Sequence, residues 1–231
     1  MKKLIVLLVL VAGILLAALL LYPEIPERFF RYVQAPVFGK SWQNEVDKQH
    51  RLYPASRSGL VFIGDSHMEQ CEWNEMFPGY QTANRGIGGE TIRGLLHRLY
   101  VLDSLGTPVV FLQTGINDLL TGDPVEVVFS HYTTLLDSLR SRSLAVVPTF
   151  VFPTRYNEEV NLKVSGLNQR LDTLFRSRGI VPVGINHRIA EGPVLKADFT
   201  LDGIHLNPAG YRIWAEAIRL RLASFPDSGS R

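Results

Sequence analysis

At 231 residues, 46% of them hydrophobic, the chain is long enough to bury one full core. Its 24 Lys and Arg nearly balance 22 Asp and Glu, and two of the cations are Lys2 and Lys3. The remainder is neutral and lacks the basic footprint that nucleic acid requires. The single cysteine, Cys71, excludes an internal disulfide and any zinc site built from several thiolates; it reads as a small buried apolar residue.

In chain order, the first expected element is an apolar helix. Leu4 to Tyr22 runs without a charge, and at 1.5 Å per residue spans about 28 Å, close to the roughly 30 Å of a bilayer's hydrocarbon core. A cleaved leader has a shorter apolar region and an Ala-x-Ala site near its end, and neither is present, so residues 1–22 are expected to be an uncleaved anchor. Lys2 and Lys3 favour a cytoplasmic N-terminus, which places the body on the periplasmic side. Residues 23–58 read as a stalk and lead-in with four prolines and a short helix around Trp42 to Leu52. The body is expected over 59–225, with a polar tail over 226–231.

Within the body, apolar strand-like runs alternate with helical periodicity. The strands are expected at Leu60–Ile63, Val109–Leu112, Ala145–Val147 with Phe150–Phe152, and Ile180–Val183, with a weaker one through Gln81–Asn84. Helices are expected over Thr91 to Leu102, over Pro124 to Arg142 with Asp123 as N-cap, from Val160 to a stop at Gly179, and over Pro208 to Ala223 after Asn207. Short, uniformly apolar strands between helices predict a mostly parallel sheet covered on both faces, in one domain.

Polar clusters fall at the ends of these runs. Gly64-Asp65-Ser66-His67 follows the first strand, where open parallel sheets bind ligands. Asn84-Arg85-Gly86-Ile87-Gly88-Gly89-Glu90-Thr91 is a glycine-rich loop opening a helix, and its pattern does not match a dinucleotide fingerprint. Gly115-Ile116-Asn117-Asp118 follows a third strand, and Asp202-Gly203-Ile204-His205 precedes the last helix. Together they supply a hydroxyl, an imidazole, a carboxylate and neutral donors. Serine needs an adjacent base, His205 can take its proton, and Asp202, three residues earlier, can hold the other ring nitrogen. The backbone N–H of Ser66, one in the glycine loop and the Asn117 amide are candidate oxyanion donors, each worth about 3–4 kcal/mol in a transition state.

These blocks resemble the SGNH, or GDSL-like, hydrolases, over about Leu60 to Ile218. Gly64-Asp65-Ser66, Asn84 to Glu90, Gly115-x-Asn117-Asp118 and Asp202-x-x-His205 stand in family order. Cys71-Glu72-Trp73-x-x-Met76-Phe77 with Asn84-x-Gly86-Ile87-Gly88-Gly89 is similar to the platelet-activating-factor acetylhydrolase subunit branch, and more loosely to lysophospholipase and thioesterase members. The resemblance implies a three-layer α/β/α sandwich of flavodoxin-like SGNH type, working without metal or cofactor. It makes Ser66 the nucleophile, His205 the base oriented by Asp202, and Gly89 and Asn117 oxyanion-hole residues beside the Ser66 backbone. Glu90 departs from the Asp usual there.

Other residues carry competing readings. Asp65 and Asp118 are expected to brace loops, and Trp73 and Phe77 to be core. His67 and His131 are rivals to His205 as base, expected to be packing or surface residues. Arg85 and Arg155 are weak candidates for meeting an anionic substrate, and Phe152 and Pro153 for lining an acyl pocket. The expected activity is a membrane-anchored ester hydrolase acting on acetyl or other short acyl esters of a small molecule, lipid or glycan. Lysophospholipid or thioester cleavage is the alternative, and a non-catalytic anchored binding module the reading from another class. A metallophosphoesterase beginning Gly64-Asp65-x-His67 is disfavoured, because its later metal-binding motifs are missing.

Overall fold

The computed structural model describes residues 43–52, 59–103 and 109–225. The expected anchor, most of the stalk, and the polar tail lie outside the described residues; the short helix expected around Trp42 to Leu52 is present over 43–52 (α1). Among the described residues no helix is long and apolar enough to cross a membrane. The described residues from Val46 onward form one compact unit.

Four parallel strands make the sheet: β1 (Leu60–Gly64), β2 (Thr82–Gly86), β3 (Val109–Gln113) and β4 (Ala145–Pro148), in the order β2-β1-β3-β4. Leu60 pairs with Thr82 on one side and Val109 on the other, and Val109 pairs with Ala145. A single parallel bridge, Thr149 to Val183, adds a fifth position beyond β4. The order reverses direction at β1, so a crevice opens outside the carboxyl ends of β1 and β3, where doubly wound sheets take their ligands.

Strand residues alternate between two cores. Val61 and Ile63 of β1 pack with Val110 and Leu112 of β3 against one set of helices. These are α4 (Ile92–His97), α6 (Val125–Arg140) and α7 (Glu158–Ser177). Leu60, Phe62 and Phe111 face the other way, onto α3 (Trp73–Met76) and α9 (Pro208–Leu222). There Phe62 stacks on Trp73 at 4.0 Å, and Trp214 meets Trp73 edge-on. Helices therefore cover both faces of a parallel sheet, and each fully buried side chain of this size contributes about 1.5–3 kcal/mol. Cys71 lies in the second core, where burial pushes its thiol up to about 12 and leaves it unreactive.

Several expected elements change at their ends, each for a local reason. Phe150–Phe152 is not a strand, because the Asn168 side chain takes both backbone groups of Val151 and Asn186 donates to the same carbonyl. Ile180–Val183 pairs only at Val183, since Pro182 has no N–H to give a ladder. The helix expected over Thr91 to Leu102 breaks at Arg98, and Leu99–Leu102 continues as a 3-10 turn, with Arg98 turned inward to Glu90. Asp123 does not cap α6: Pro124 is the N-cap residue and makes no side-chain cap. A small hairpin, β5 (Ala190–Glu191) with β6 (Val194–Leu195), follows the short helix α8 (Asn186–Ile189) and was not expected from the sequence.

Candidate active site

The carboxyl end of β1 is shaped by close backbone approach. Gly64 has φ +148, and a Cβ there would lie 1.7 Å from the Gln113 carbonyl oxygen of β3. Gly86, ending β2, sits where a Cβ would lie 2.2 Å from the Glu69 nitrogen. Only glycine permits these contacts, and they draw the short helix α2 (Ser66–Glu69) tightly over the strand ends. Asp65 caps α2, its Oδ1 accepting from the His67 N–H at 3.0 Å. Asn84 holds the same segment, donating to the Met68, Glu69 and Cys71 carbonyls while accepting from the Gly86 N–H. Ser66 is thereby presented at the β1 tip, 7% exposed.

The loop before α9 brings His205 to it across 139 residues of sequence. His205 Nε2 is 2.8 Å from Ser66 Oγ, and Nδ1 is 2.6 Å from Asp202 Oδ2. Asp202 Oδ1 accepts the backbone N–H groups of Ile204 and His205 at 2.9 and 2.8 Å. Burial would raise the Asp202 carboxyl, but the hydrogen bonds from the His205 ring and from these two amides outweigh it and hold the group well below the usual carboxylate range. Gly203, at φ +85, makes the turn, and the Tyr156 ring occupies the space a Cβ would need. Thr200 locks the loop, its hydroxyl donating to the His205 carbonyl and accepting from the Gly203 N–H. The Arg155 N–H donates to the Gly203 carbonyl at 2.7 Å. Thr200 carries no motif, so its bracing role was missed in the sequence.

The donor side is formed by the glycine loop and by α5 (Ile116–Leu120) after β3. Asn117 Nδ2 donates to the Glu90 carbonyl at 2.9 Å, which fixes its amide and leaves the second N–H of that nitrogen to point elsewhere. Among the described residues, the backbone N–H groups of Ser66 and Gly89 carry no hydrogen bond to protein. Asp118 accepts from the Ile92 N–H with both oxygens, tying α5 to the start of α4. Burial pushes the Asp118 carboxyl up to about 6, partly offset by that amide.

Glu90 is buried against Arg98, which donates to its carboxylate with Nε at 2.6 Å and with Nη2, and reaches the Arg85 and Gly64 carbonyls as well. The Glu90 side chain thus ends in a buried ion pair. Arg98 carried no sequence signal beyond a charge on an otherwise apolar helical face.

The remaining expected site residues are placed differently. Phe152 lies in the second core, edge-on to Trp214 at 5.0 Å and to His67 at 5.2 Å, so it is packing rather than an open pocket wall. Pro153 lines a cavity of about 280 Å³ with Asn168, Asn186 and His187; neither this cavity nor the larger one beside Phe77 and Arg219 is lined by Ser66 or His205. Arg85 is buried, and Arg155 stacks over Tyr156. His67 is buried with its ring nitrogens facing Asp65 and the Ile204 carbonyl, which removes it both as base and as a metal ligand.

A parallel α/β sheet with a serine, a histidine and an aspartate joined in one hydrogen-bonded chain at its carboxyl edge defines a hydrolase of the serine ester type. The chain belongs to the GDSL-like lipase/acylhydrolase family, whose model matches residues 62–213. Among curated proteins, N-acylneuraminate cytidylyltransferases of Streptococcus agalactiae are 28% identical over 123 residues. That match covers 53% of this chain but only 30% of theirs. Among solved structures, a candidate platelet activating factor from Streptococcus pneumonia is similar at 24% identity and a TM-score of 0.72, covering 80% of this chain and 94% of that one. A variant of an acetyl-xylooligosaccharide esterase from Geobacillus Stearmophilus is similar at 19% identity and a TM-score of 0.58, covering 74% and 96%. At these identities the two structures show the shared fold.

Proposed function

We propose that the chain is a membrane-anchored serine esterase that removes acetyl or other short acyl groups through an acyl-enzyme on Ser66. The observation that carries this is the relay from Ser66 Oγ to His205 Nε2 at 2.8 Å and from Nδ1 to Asp202 at 2.6 Å. His205 accepts the Ser66 proton as Oγ attacks the ester carbonyl, and Asp202 stabilises the imidazolium that forms. The Ser66 and Gly89 N–H groups and the second Asn117 amide hydrogen hold the oxyanion. His205 then protonates the departing alcohol, and water, activated by the same ring, releases the acid.

Short acyl groups are favoured because Ser66 is itself nearly buried, and the adjacent His67 and its ring neighbour Phe152 are packed in the interior. A sugar alcohol is favoured because two of the similar proteins are named for acyl sugars, N-acylneuraminate and acetyl-xylooligosaccharide. An O-acetylated glycan on the periplasmic side fits the anchor read from Leu4 to Tyr22. A second reading, lysophospholipid or thioester cleavage, has its own support in Leu201 and Tyr156. They are 89% and 65% exposed and flank the Asp202 loop, where a lipid would gain apolar contact.

An acyl-chain series of p-nitrophenyl esters, run with O-acetylated sugars on the full-length protein, separates the two. Preference for acetyl with release of acetate from sugars is the expected result. A kcat/KM that climbs steadily as methylenes are added to the acyl chain overturns the short-acyl reading. Turnover that survives Ser66→Ala and disappears with a chelator overturns the serine mechanism.

A further inference from the structure

Next to Ser66 stands a second Asp–His pair that the proposed reaction leaves unused. His67, 1% exposed, directs Nδ1 at Asp65 Oδ1, 3.2 Å away, and Nε2 at the Ile204 carbonyl oxygen, 3.0 Å away. A carbonyl only accepts, so this contact is a hydrogen bond in every state of the ring that carries a hydrogen on Nε2. The ring is held on every side. Phe152 packs against it edge-on, the His205 ring lies 5.5 Å away, and the Tyr211 hydroxyl donates to the His67 carbonyl at 2.9 Å. Asp65 is fixed in turn by the His67 backbone N–H and by Gln113, whose amide nitrogen reaches Oδ1 at 2.9 Å in the orientation that satisfies the carboxylate.

We propose that His67 is a positioning residue whose Nε2–H, given to the Ile204 carbonyl, straps the helix of the nucleophile to the loop of the base. The peptide unit between Ile204 and His205 is then clamped at both ends. Its carbonyl is held by His67, and its N–H by Asp202 Oδ1 at 2.8 Å. That plane sets the backbone torsion at His205 and hence the aim of its imidazole at Ser66 Oγ. Ser66 and His67 are adjacent in α2, so the strap moves the nucleophile and the base as one piece. A shift of about 1 Å in such an arrangement costs on the order of a hundredfold in rate. This inference rests on the assignment of Ser66 and His205 made above.

The test compares three substitutions at one position. His67→Gln places an amide N–H near the Nε2 site and keeps the strap; His67→Asn places one near the Nδ1 site, serving Asp65 alone; His67→Leu removes both. Steady-state kinetics with p-nitrophenyl acetate, the rate of Ser66 labelling by a fluorophosphonate, and thermal melting are measured on each. The expected result is kcat for Gln within about threefold of the unmodified protein, and kcat for Asn and Leu about 10–100-fold lower. KM should be little changed, and labelling should slow in parallel. If the Leu protein fails to fold, the Gln and Asn pair carries the test, since both keep one side-chain amide at this buried position. Gln and Asn equally active, equally impaired, or ranked in reverse overturns the strap. Ser66→Ala separates the two levels: turnover that persists in it refutes the nucleophile assignment itself. A dead Ser66→Ala with Gln and Asn indistinguishable refutes only the role of His67.

Discussion

Two aspartate–histidine pairs stand side by side at the carboxyl edge of the sheet, with their imidazole rings 5.5 Å apart. Asp202 and His205 are three residues apart in a loop; Asp65 and His67 are two apart at the start of a helix. The chemistry of the side chains is the same, and the difference lies in what the second ring nitrogen faces. In His205 it faces a serine hydroxyl, and the ring is 25% exposed, open to an incoming ester. In His67 it faces a backbone carbonyl and is spent. A histidine becomes a base when its environment leaves one nitrogen with an acceptor site turned toward something that can lose a proton. Buried against a carbonyl, the same pair becomes a brace.

The most drastic way to break the comparison is at the reactive pair. Asp202→Asn should lower kcat by about 10³–10⁴-fold with the fold intact, because the amide no longer favours the tautomer that presents a bare Nε2 to Ser66. Circular dichroism and p-nitrophenyl acetate turnover check both halves. The matching change at the other pair, Asp65→Asn, should behave oppositely. Its effect should fall on stability, about 1–3 kcal/mol by urea unfolding, with kcat reduced less than tenfold. Equal kinetic losses from the two would mean that the pairs are not distinct in role.

Between those extremes lies the donor side. Asn117→Ala should lower kcat by about 10²–10³-fold with KM little changed, since the amide acts on charge that develops only in the transition state. A proportionate rise in KM with constant kcat would instead mark Asn117 as a ground-state contact.

The legibility of these features in the sequence follows the range of the forces behind them. The strand at Leu60 and the final helix were readable because an unbroken apolar run and an Asn-Pro start act within a few residues; the Asn207 side chain does cap that helix. The spacing of Asp202 and His205 was readable for the same reason. His67 was not, since its meaning lies in the Ile204 carbonyl, 137 residues away. Arg98 was invisible likewise, reaching backbone carbonyls at the tips of β1 and β2. Thr200 bonds within its own loop, five residues from the His205 carbonyl, and was missed because a lone threonine there carries no pattern. The missing strand at Phe150–Phe152 shows tertiary context overriding propensity, as side chains from two helices take the backbone groups of Val151.

The smallest expected effect is also the one whose sign is least intuitive. Glu90 forms an ion pair with Arg98, yet burial outweighs the hydrogen bonds and charge of Arg98 and pushes the carboxyl up to about 6. The folded protein therefore holds this proton where the unfolded chain, near the ordinary value of 4.5, has released it. The stabilisation belongs to the protonated form. It is complete below about pH 4.5 and lost as pH rises to about 6, by about 2 kcal/mol. Glu90→Gln cannot titrate, so the stability of the unmodified protein minus that of the variant should fall across this window and stay flat above it. Urea unfolding of both at pH 4.5, 5.5 and 7 measures that difference. A difference that instead grows with pH would mean that the Arg98 contact outweighs burial, and that Glu90 strengthens the glycine loop as an ion.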